Sequence, residues 1–504
     1  MMTLSISSDP ISPDPGLPNA EICYRALKAR DPRFDGRFFV AVRSTGIYCR
    51  PICPARTPKR ENCRFMPSAA AAQAAGYRSC LRCRPETAPG TPAWAGVSAS
   101  VARALRLIDQ GALDDAGVEA LAARLGLGAR HLRRLFLAHV GVTPQAVAAN
   151  RRLLLAKQLI SDTDLAMNDV AFAAGYRSLR RFNDAVRCAY GRPPTALRRG
   201  RAPVMHECGM DFVLRLGYRP PFAWGAILDY LGGRAIPEVE CVTDNTYRRS
   251  FRLDGVPGLL EVRDEPDKNT LCVRIISRTS LPIREIVARV RRMFDLDADP
   301  QAIADLLGQD PAMAARLARQ PGLRIPGGFD GFELGIRAIL GQQISVKGAT
   351  TLAGRLAARA GQALDPTLAP DADGWPTILF PTPAGLADAD LIQLGLIGAR
   401  AATLCRFAAA VRDGMVTLTP MASLDAAIEA LTHLDGIGPW TANYIALRAI
   451  GEPDAFPAGD LGLQKAAGNG DRLTQKALEQ LAEKWRPWRG YAALYLWTDG
   501  GDTT

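Results

Sequence analysis

The stretch Leu434-Asp-Gly-Ile-Gly-Pro-Trp-Thr-Ala-Asn-Tyr444, followed by an aspartate at Asp460, constrains this chain more than any other. Two glycines, Gly436 and Gly438, bracket one apolar residue and permit a hairpin tight enough for its backbone amides to point outward together. Pro439 stands where a helix should begin, since a proline at the first helical position gives up no needed hydrogen bond. A glycine hairpin that opens a helix presents free N–H groups and the positive dipole end on one side, which suits a phosphate and reads no base. Gly-Ile-Gly-Pro alone also fits an ordinary interhelical turn. The flanking aromatics favour the phosphate grip. So does the break Ala455-Phe-Pro-Ala-Gly-Asp460, which delivers a carboxylate about one helix downstream.

Phosphate grip, helix, then carboxylate resembles the helix-hairpin-helix DNA glycosylases. A chain of 504 residues has room for about three or four domains, each with its own core. No apolar run reaches the roughly 18 residues needed to span a bilayer. The opening residues lack the basic start and apolar core of a secretory signal. Residues 1–19 are expected to be a disordered lead-in, and no membrane partner is expected; a monomer of the bacterial cytoplasm and nucleoid is the further expectation. Eleven cysteines, spaced most clearly as Cys-x3-Cys and Cys-x2-Cys, suggest metal chemistry in a reducing compartment and not disulfides. Residues 1–203 carry 31 Lys/Arg against 15 Asp/Glu, a net of +16, whereas residues 204–504 carry 31 against 36, a net of −5. The first part thus has the electrostatic footprint of a nucleic-acid binder.

In residues 20–88, the strand-like Phe38–Val42 precedes Gly46-Ile-Tyr-Cys-Arg-Pro-Ile-Cys53, and a second pair lies at Cys80-Leu-Arg-Cys83. Two close pairs of thiols suit tetrahedral zinc, and a domain this small needs such a staple. A purely structural zinc site is the plain reading of that spacing. Arg50, Arg56, Lys59, Arg60, Arg64, Arg78, Arg82 and Arg84 surround it, however, so the sulfurs are expected to face a surface suited to phosphate. The wording Thr45-Gly-Ile-Tyr-Cys-Arg-Pro with Cys80-x-x-Cys83 resembles the amino-terminal domain of the Ada adaptive-response regulators. That resemblance implies Zn²⁺ held by Cys49, Cys53, Cys80 and Cys83, and methyl transfer from a DNA methylphosphotriester to Cys49. Zinc keeps such a sulfur a nucleophilic thiolate at neutral pH. Cys23 and Cys63 fall outside the quartet and read as small buried residues.

Residues 97–200 carry apolar positions at helical spacing and a repeat: Arg130-His-Leu-Arg-Arg-Leu-Phe136 matches Arg177-Ser-Leu-Arg-Arg-Phe-Asn183 at an offset of 47. Each follows a short helix and a glycine turn, as in a helix-turn-helix unit that offers its second helix to a groove. A helical bundle with solvated arginines is the bland alternative. The arrangement resembles the AraC-type DNA-binding domain, with Arg130, Arg133, Arg177 and Arg180 as contacts to DNA.

Past the basic Arg198–Pro203 linker, alternating stretches at Phe251–Leu253, Leu259–Arg263 and Leu271–Ile276 read as strands. Phe222–Leu231 and Ile283–Phe294 read as helices laid across them. This unit, 205–300, resembles the first domain of the AlkA-type 3-methyladenine DNA glycosylases and is expected to be architectural. From 301 to 504 the chain is helical, and the resemblance to AlkA continues through Trp485-Arg-Pro-Trp-Arg-Gly-Tyr491. It implies catalysis by Asp460 and a base pocket of Trp440, Tyr444 and Trp497. Alkylation at a ring nitrogen makes a purine cationic, and aromatic faces attract a cation by roughly 0.5–2 kcal/mol. Core packing is the competing role for either tryptophan. A carboxylate can stabilise the sugar as it gains oxocarbenium character, once the base has left the stack. Trp440 stands where relatives that also cut the strand carry a lysine, so a lyase step is not expected. Gln343 stands where AlkA inserts an apolar wedge.

The expected fold is multidomain and mainly α: a zinc-bound α+β domain, a double helix-turn-helix domain, an α+β domain and an all-α helix-hairpin-helix domain. The expected function is DNA alkylation repair and its regulation, as a fusion of an Ada-type regulator with a monofunctional AlkA-type glycosylase. Its partners would be alkylated and promoter duplex DNA, with RNA polymerase as a further one. No Pro-Cys-His-Arg signature is present, so direct reversal of O6-methylguanine is not expected. The alternatives are a methylation-responsive regulator with a non-catalytic glycosylase-like half, and a plain zinc-dependent DNA-binding protein.

Overall fold

The computed structural model describes residues 17–90, 99–198, 210–370, 374–391, 396, 398–468 and 471–499. Helix α1 (Ala20–Ala29) opens on Asn19, whose side chain accepts from the Glu21 N–H, and Leu17 packs beside it. Residues 17–19, which the expected lead-in 1–19 included, are thus held in place by an N-cap and an apolar socket. Residues 1–16 and most of the basic linker lie outside the described residues. Strands β1 (Phe39–Val42), β2 (Ile47–Cys49), β3 (Cys63–Met66) and β4 (Arg78–Ser79) form a sheet ordered β3-β1-β2-β4 under helix α2 (Ala69–Ala74). Cys23 and Cys63 are buried in its core, as expected, and burial pushes the Cys23 thiol up to about 12.

Helices α3 (Ala99–Asp109), α4 (Val118–Arg124), α5 (Ala129–Val140), α6 (Pro144–Asp162), α7 (Met167–Ala173), α8 (Leu179–Tyr190) and α9 (Pro194–Leu197) follow. The pairs α4–α5 and α7–α8 turn at Gly126 and Gly175, both at positive φ. They are two helix-turn-helix units, but the repeat aligns differently from the sequence match. Both second helices have 12 residues and end on a left-handed glycine, Gly141 and Gly191. Their buried positions, Leu132 and Phe136 against Phe182 and Val186, correspond at an offset of 50, not 47. The shared Leu-Arg-Arg tripeptide drew the match three residues off, and a slip of nearly one helical turn leaves the apolar periodicity almost intact. Arg130 is therefore equivalent to Arg180, and Arg177 precedes its helix.

Next comes an antiparallel sheet ordered β5-β9-β8-β7-β6, built from β5 (Met210–Gly217), β6 (Glu240–Thr243), β7 (Thr246–Leu253), β8 (Val256–Glu265) and β9 (Thr270–Ser277). Helices α10 (Trp224–Gly232) and α11 (Ile283–Met293) accompany it. The edge strands β5 and β6 escaped the sequence reading. This domain shares one apolar core with the second helix-turn-helix unit: Leu159, Val170 and Phe182 lie in the same cluster as Phe212, Leu214 and Ile283. The zinc domain likewise shares a core with the first unit, through Phe39, Tyr48 and Phe136.

The last domain contains α12 (Pro300–Leu307), α13 (Pro311–Arg319), α14 (Gly331–Leu340), α15 (Val346–Ala360), α16 (Pro383–Ala387), α17 (Gly398–Arg412), α18 (Leu424–Thr432), α19 (Pro439–Ile445), α20 (Leu461–Ala467), α21 (Gln475–Ala482) and α22 (Arg489–Asp499). A two-residue ladder between Gln362–Ala363 and Ile378–Leu379 is a small departure from all-α. Two apolar cores divide the helices. Helices α14 to α19 surround one, while α12, α13 and α20 to α22 surround the other. The glycine hairpin belongs to the first lobe and Asp460 begins the second, so the candidate site lies at their junction.

Candidate active site and zinc centre

The hairpin closes where the Ile437 N–H donates to the Leu434 carbonyl at 3.0 Å, which buries Ile437 and leaves Gly436 and Gly438 exposed. Gly436 has φ +90°, and a Cβ there would lie 2.1 Å from Thr403 Oγ1 on α17, so the position accepts glycine alone. Gly438 is the N-cap residue of α19, with Pro439 at the first helical position. Gln342 Nε2 braces the loop, donating to the Gly436 carbonyl at 2.9 Å and to Thr441 Oγ1 at 3.0 Å. Next to it, Gln343 is exposed in the turn between α14 and α15 with φ +57°. Left-handed backbone at a non-glycine residue is a form of strain that concentrates at functional sites.

Asp460 is both the N-cap of α20 and the meeting point of two indoles. Its Oδ1 accepts from the Leu463 N–H at 3.0 Å and from Trp497 Nε1–H at 3.2 Å. Its Oδ2 accepts from Trp440 Nε1–H at 3.0 Å. Trp440 stacks on Tyr444 at 5.4 Å between centroids and 18° between planes, and Trp497 meets Tyr444 edge-on at 6.4 Å. The four residues expected to form pocket and catalyst thus converge, from α19, α20 and α22.

Two further residues complete the cluster. Tyr230, on α10, lies 3.0 Å from Tyr444 between hydroxyl oxygens, so the α+β domain supplies a side chain to the cluster. Arg448 sits in a π-helical turn, Ala446–Ile450, that continues α19. Its guanidinium hydrogen-bonds both tyrosine hydroxyls and lies over both rings, 4.5 Å from the Tyr230 centroid and 5.0 Å from that of Tyr444. Burial raises the Tyr444 hydroxyl, but the charges of Arg448 and Arg234 and the hydrogen bonds to Tyr230 and Arg448 together outweigh it and hold the group below the usual tyrosine value. For Tyr230 burial wins, and its hydroxyl is pushed up to about 12. A signal for Arg448 was present, an arginine inside the apolar run Ile445–Ile450. Tyr230 is more than two hundred residues away and gave none. Behind the cluster, the cavity lined by Tyr230, Pro326, Arg448 and Trp497 holds only about 10 Å³, room for a single water.

The second site is the cysteine quartet. The Sγ atoms of Cys49, Cys53, Cys80 and Cys83 all lie within 4.8 Å of one another. Tetrahedral zinc, with Zn–S near 2.3 Å, requires sulfurs about 3.8 Å apart, so the quartet fits it. Backbone N–H groups of Arg50 and Arg82 donate to Cys83 Sγ at 3.3 Å and Cys80 Sγ at 3.4 Å, which suits thiolates. As a residue Cys49 is half-buried, while the other three are buried. Arg50 does not face outward as expected. It is buried, its Nε donating to Asp35 at 2.9 Å and its Nη1 to Thr87 Oγ1 at 2.7 Å. Successive residues of a strand point to opposite faces, and Arg50 directly follows Cys49 at the end of β2. Arg84 is likewise paired with Glu86 and Asp162. Arg56, Lys59, Arg60, Arg78 and Arg82 remain exposed.

On the helix-turn-helix units, Arg130 and Arg180 are exposed near the start of α5 and α8. Arg133 pairs with Glu119 at 2.8 Å, and Arg177 pairs with Asp115. Among the described residues no helix is long and apolar enough to cross a membrane.

Three family models match the chain: the metal binding domain of Ada over residues 22–86, a helix-turn-helix domain over 121–200, and the AlkA N-terminal domain over 213–330. A probable bifunctional transcriptional activator/DNA repair enzyme AlkA from Mycobacterium tuberculosis is 44% identical over 95% of this chain and 96% of its own length. DNA-3-methyladenine glycosylase 2 from Escherichia coli is 37% identical, over 57% of this chain and 97% of its own length. The bifunctional transcriptional activator/DNA repair enzyme Ada from the same organism is 44% identical, over 24% of this chain and 33% of its own.

Proposed function

Because the chain belongs to the family of AlkA-type bifunctional transcriptional activators and DNA repair enzymes, we propose that Asp460 promotes hydrolysis of the N-glycosidic bond of alkylated purines such as 3-methyladenine, and that Cys49 accepts a methyl group from DNA methylphosphotriesters. The chain is a DNA glycosylase of the AlkA type joined to an Ada-like, zinc-binding, DNA-binding regulator. The observation that carries the glycosylase assignment is the convergence of three N–H donors on Asp460 inside an aromatic cluster.

Gly436 and Gly438 turn their hairpin toward a DNA phosphate while Gln343 enters the gap left by the extruded base. With only about 10 Å³ behind the cluster, the base is received at its outer face. Arg448 already occupies the tyrosine rings, so attraction for a cationic base falls mainly to Trp440 and Trp497. As the C–N bond lengthens, the bonding pair leaves with the base and the sugar becomes cationic. Asp460, fixed by both indoles, sits opposite that charge or orients the attacking water.

In the regulatory half, zinc held by Cys49, Cys53, Cys80 and Cys83 would keep the Cys49 sulfur a thiolate. That thiolate attacks the ester methyl: a new S–C bond forms, the O–C bond breaks, and its electron pair leaves with the phosphodiester. Arg130 and Arg180 are the matching groove contacts of α5 and α8, with Arg133 and Arg177 beside them, and RNA polymerase is the partner through which activation proceeds. The deciding experiment is release of free base from duplex DNA bearing alkylated purines. Asp460→Asn keeps an N-cap oxygen for α20, so it should fold, bind DNA within a few-fold of wild type, and release almost no base. Wild-type rates in that variant would remove the catalytic assignment.

A further inference from the structure

The turn that carries Arg448 and the loop that delivers Asp460 meet at Glu452, which is almost completely buried at 2% exposure. Its backbone N–H donates to the Ala446 carbonyl at 2.9 Å and closes the π-helical turn. Its carbonyl accepts from the Ala455 N–H at 3.1 Å and begins the loop toward Asp460. The carboxylate, however, finds its partners in the regulatory half. Arg103 on α3 takes both oxygens, Nε to Oε1 at 3.0 Å and Nη2 to Oε2 at 2.9 Å. Arg106, one turn on, reaches Oε1 at 3.0 Å and also donates to the Gly451 carbonyl. Arg103 further holds the Ala422 carbonyl at 3.2 Å, just before α18. A buried carboxylate deprived of its cations is strongly unfavourable where it sits and must shift or take up a proton.

We infer that Arg103 and Arg106 of the DNA-binding half are positioning residues for base excision: through Glu452 they hold the turn bearing Arg448 and the loop ending at Asp460. The inference rests on the glycosylase reading and extends it. Neither arginine touches the aromatic cluster, so they act only by placing residues that do. A catalytic group displaced by about 1 Å costs up to roughly a hundredfold in rate. The excision site of this chain is thereby completed by its regulatory half.

The test uses the full chain and a duplex carrying an alkylated purine. Arg103→Ala/Arg106→Ala should slow single-turnover excision at saturating DNA by about tenfold or more, with affinity for the duplex unchanged. Arg103→Lys/Arg106→Lys should recover much of the rate. Arg124→Ala, which removes a 3.0 Å contact to Thr419 across the same interface but away from the turn, should leave excision at wild type. Retained zinc and a cooperative thermal transition above the assay temperature certify folding. If the double alanine variant does not fold, Glu452→Gln, which preserves an acceptor oxygen and the side-chain size, should still lower the single-turnover rate and spare DNA affinity. Wild-type excision in the folded double alanine variant, or in Glu452→Gln, overturns the proposal. So does an equal loss in Arg124→Ala. A wild-type protein that releases no base overturns the glycosylase reading and this proposal with it.

Discussion

Trp440 contacts Asp460 through its indole N–H and Tyr444 through its ring, and Trp440→Phe separates the two roles. Phenylalanine keeps an aromatic face for the 5.4 Å stack on Tyr444 but cannot donate to Oδ2. Hydrogen bonds to a charged group contribute about 1.5–3 kcal/mol. Both residues are partly exposed, so the lower end applies, and about 1.5 kcal/mol corresponds to roughly tenfold in rate. Trp497→Phe should cost less, because its bond to Oδ1 is longer at 3.2 Å and that oxygen keeps the Leu463 N–H at 3.0 Å. The assay is single-turnover release of free base, with affinity for an abasic duplex measured in parallel. Trp440→Phe should lower the rate without lowering affinity, and exceed Trp497→Phe. A wild-type rate in Trp440→Phe, or the reverse order, would show that the indoles do not orient the carboxylate.

Gly436→Ala combines positive φ with a clash against Thr403, so thermal unfolding should report a loss of about 1–3 kcal/mol together with weaker DNA binding. Borohydride should trap no covalent adduct with abasic DNA, since Trp440 occupies the place of a Schiff-base lysine; a strong trapped band would end the monofunctional assignment. Methylating Cys49 should raise promoter affinity about tenfold, because the zinc–thiolate cluster goes from a net charge of −2 to −1 beside DNA phosphates. Unchanged promoter binding by protein that mass spectrometry shows to be methylated at Cys49 would refute that switch.

What the sequence revealed was whatever a short spacing encodes. The glycine hairpin, the aspartate one helix on and the cysteine quartet all join residues through local backbone geometry, and the folded chain brings each set together. What it concealed was direction and distance. Arg50 lies next to Cys49 in sequence, yet strand alternation turns it toward Asp35. The helix-turn-helix repeat was found but set three residues out of register, because a near-turn slip barely disturbs a helical pattern. Tyr230 reached the pocket by tertiary packing of α10 against α19, which no periodicity announces. Nor does anything local to Glu452 reveal that its cations lie more than three hundred residues earlier.

The charge asymmetry between the halves therefore has two physical uses that differ in their response to salt. Arg37, Arg103 and Arg106 of the first half pair with Asp299 and Glu452 of the second, while Arg284 of the second pairs with Asp114 of the first. Among the described residues, these three cations and one anion of the first half form ion pairs across the interface, a small part of the excess of +16. The remainder includes Arg56, Lys59, Arg60, Arg78 and Arg82 around the quartet and Arg130 and Arg180 on α5 and α8, all exposed. Exposed charges are screened over about 8–10 Å at ordinary ionic strength, whereas buried pairs are screened much less. Each phosphate neutralised by an exposed cation adds about 0.9 to the salt slope of binding. Where the outer cations meet DNA phosphates as proposed, salt competes for them while Glu452 keeps its arginines. Detaching the protein from DNA and loosening the turn beneath its excision site are separate events.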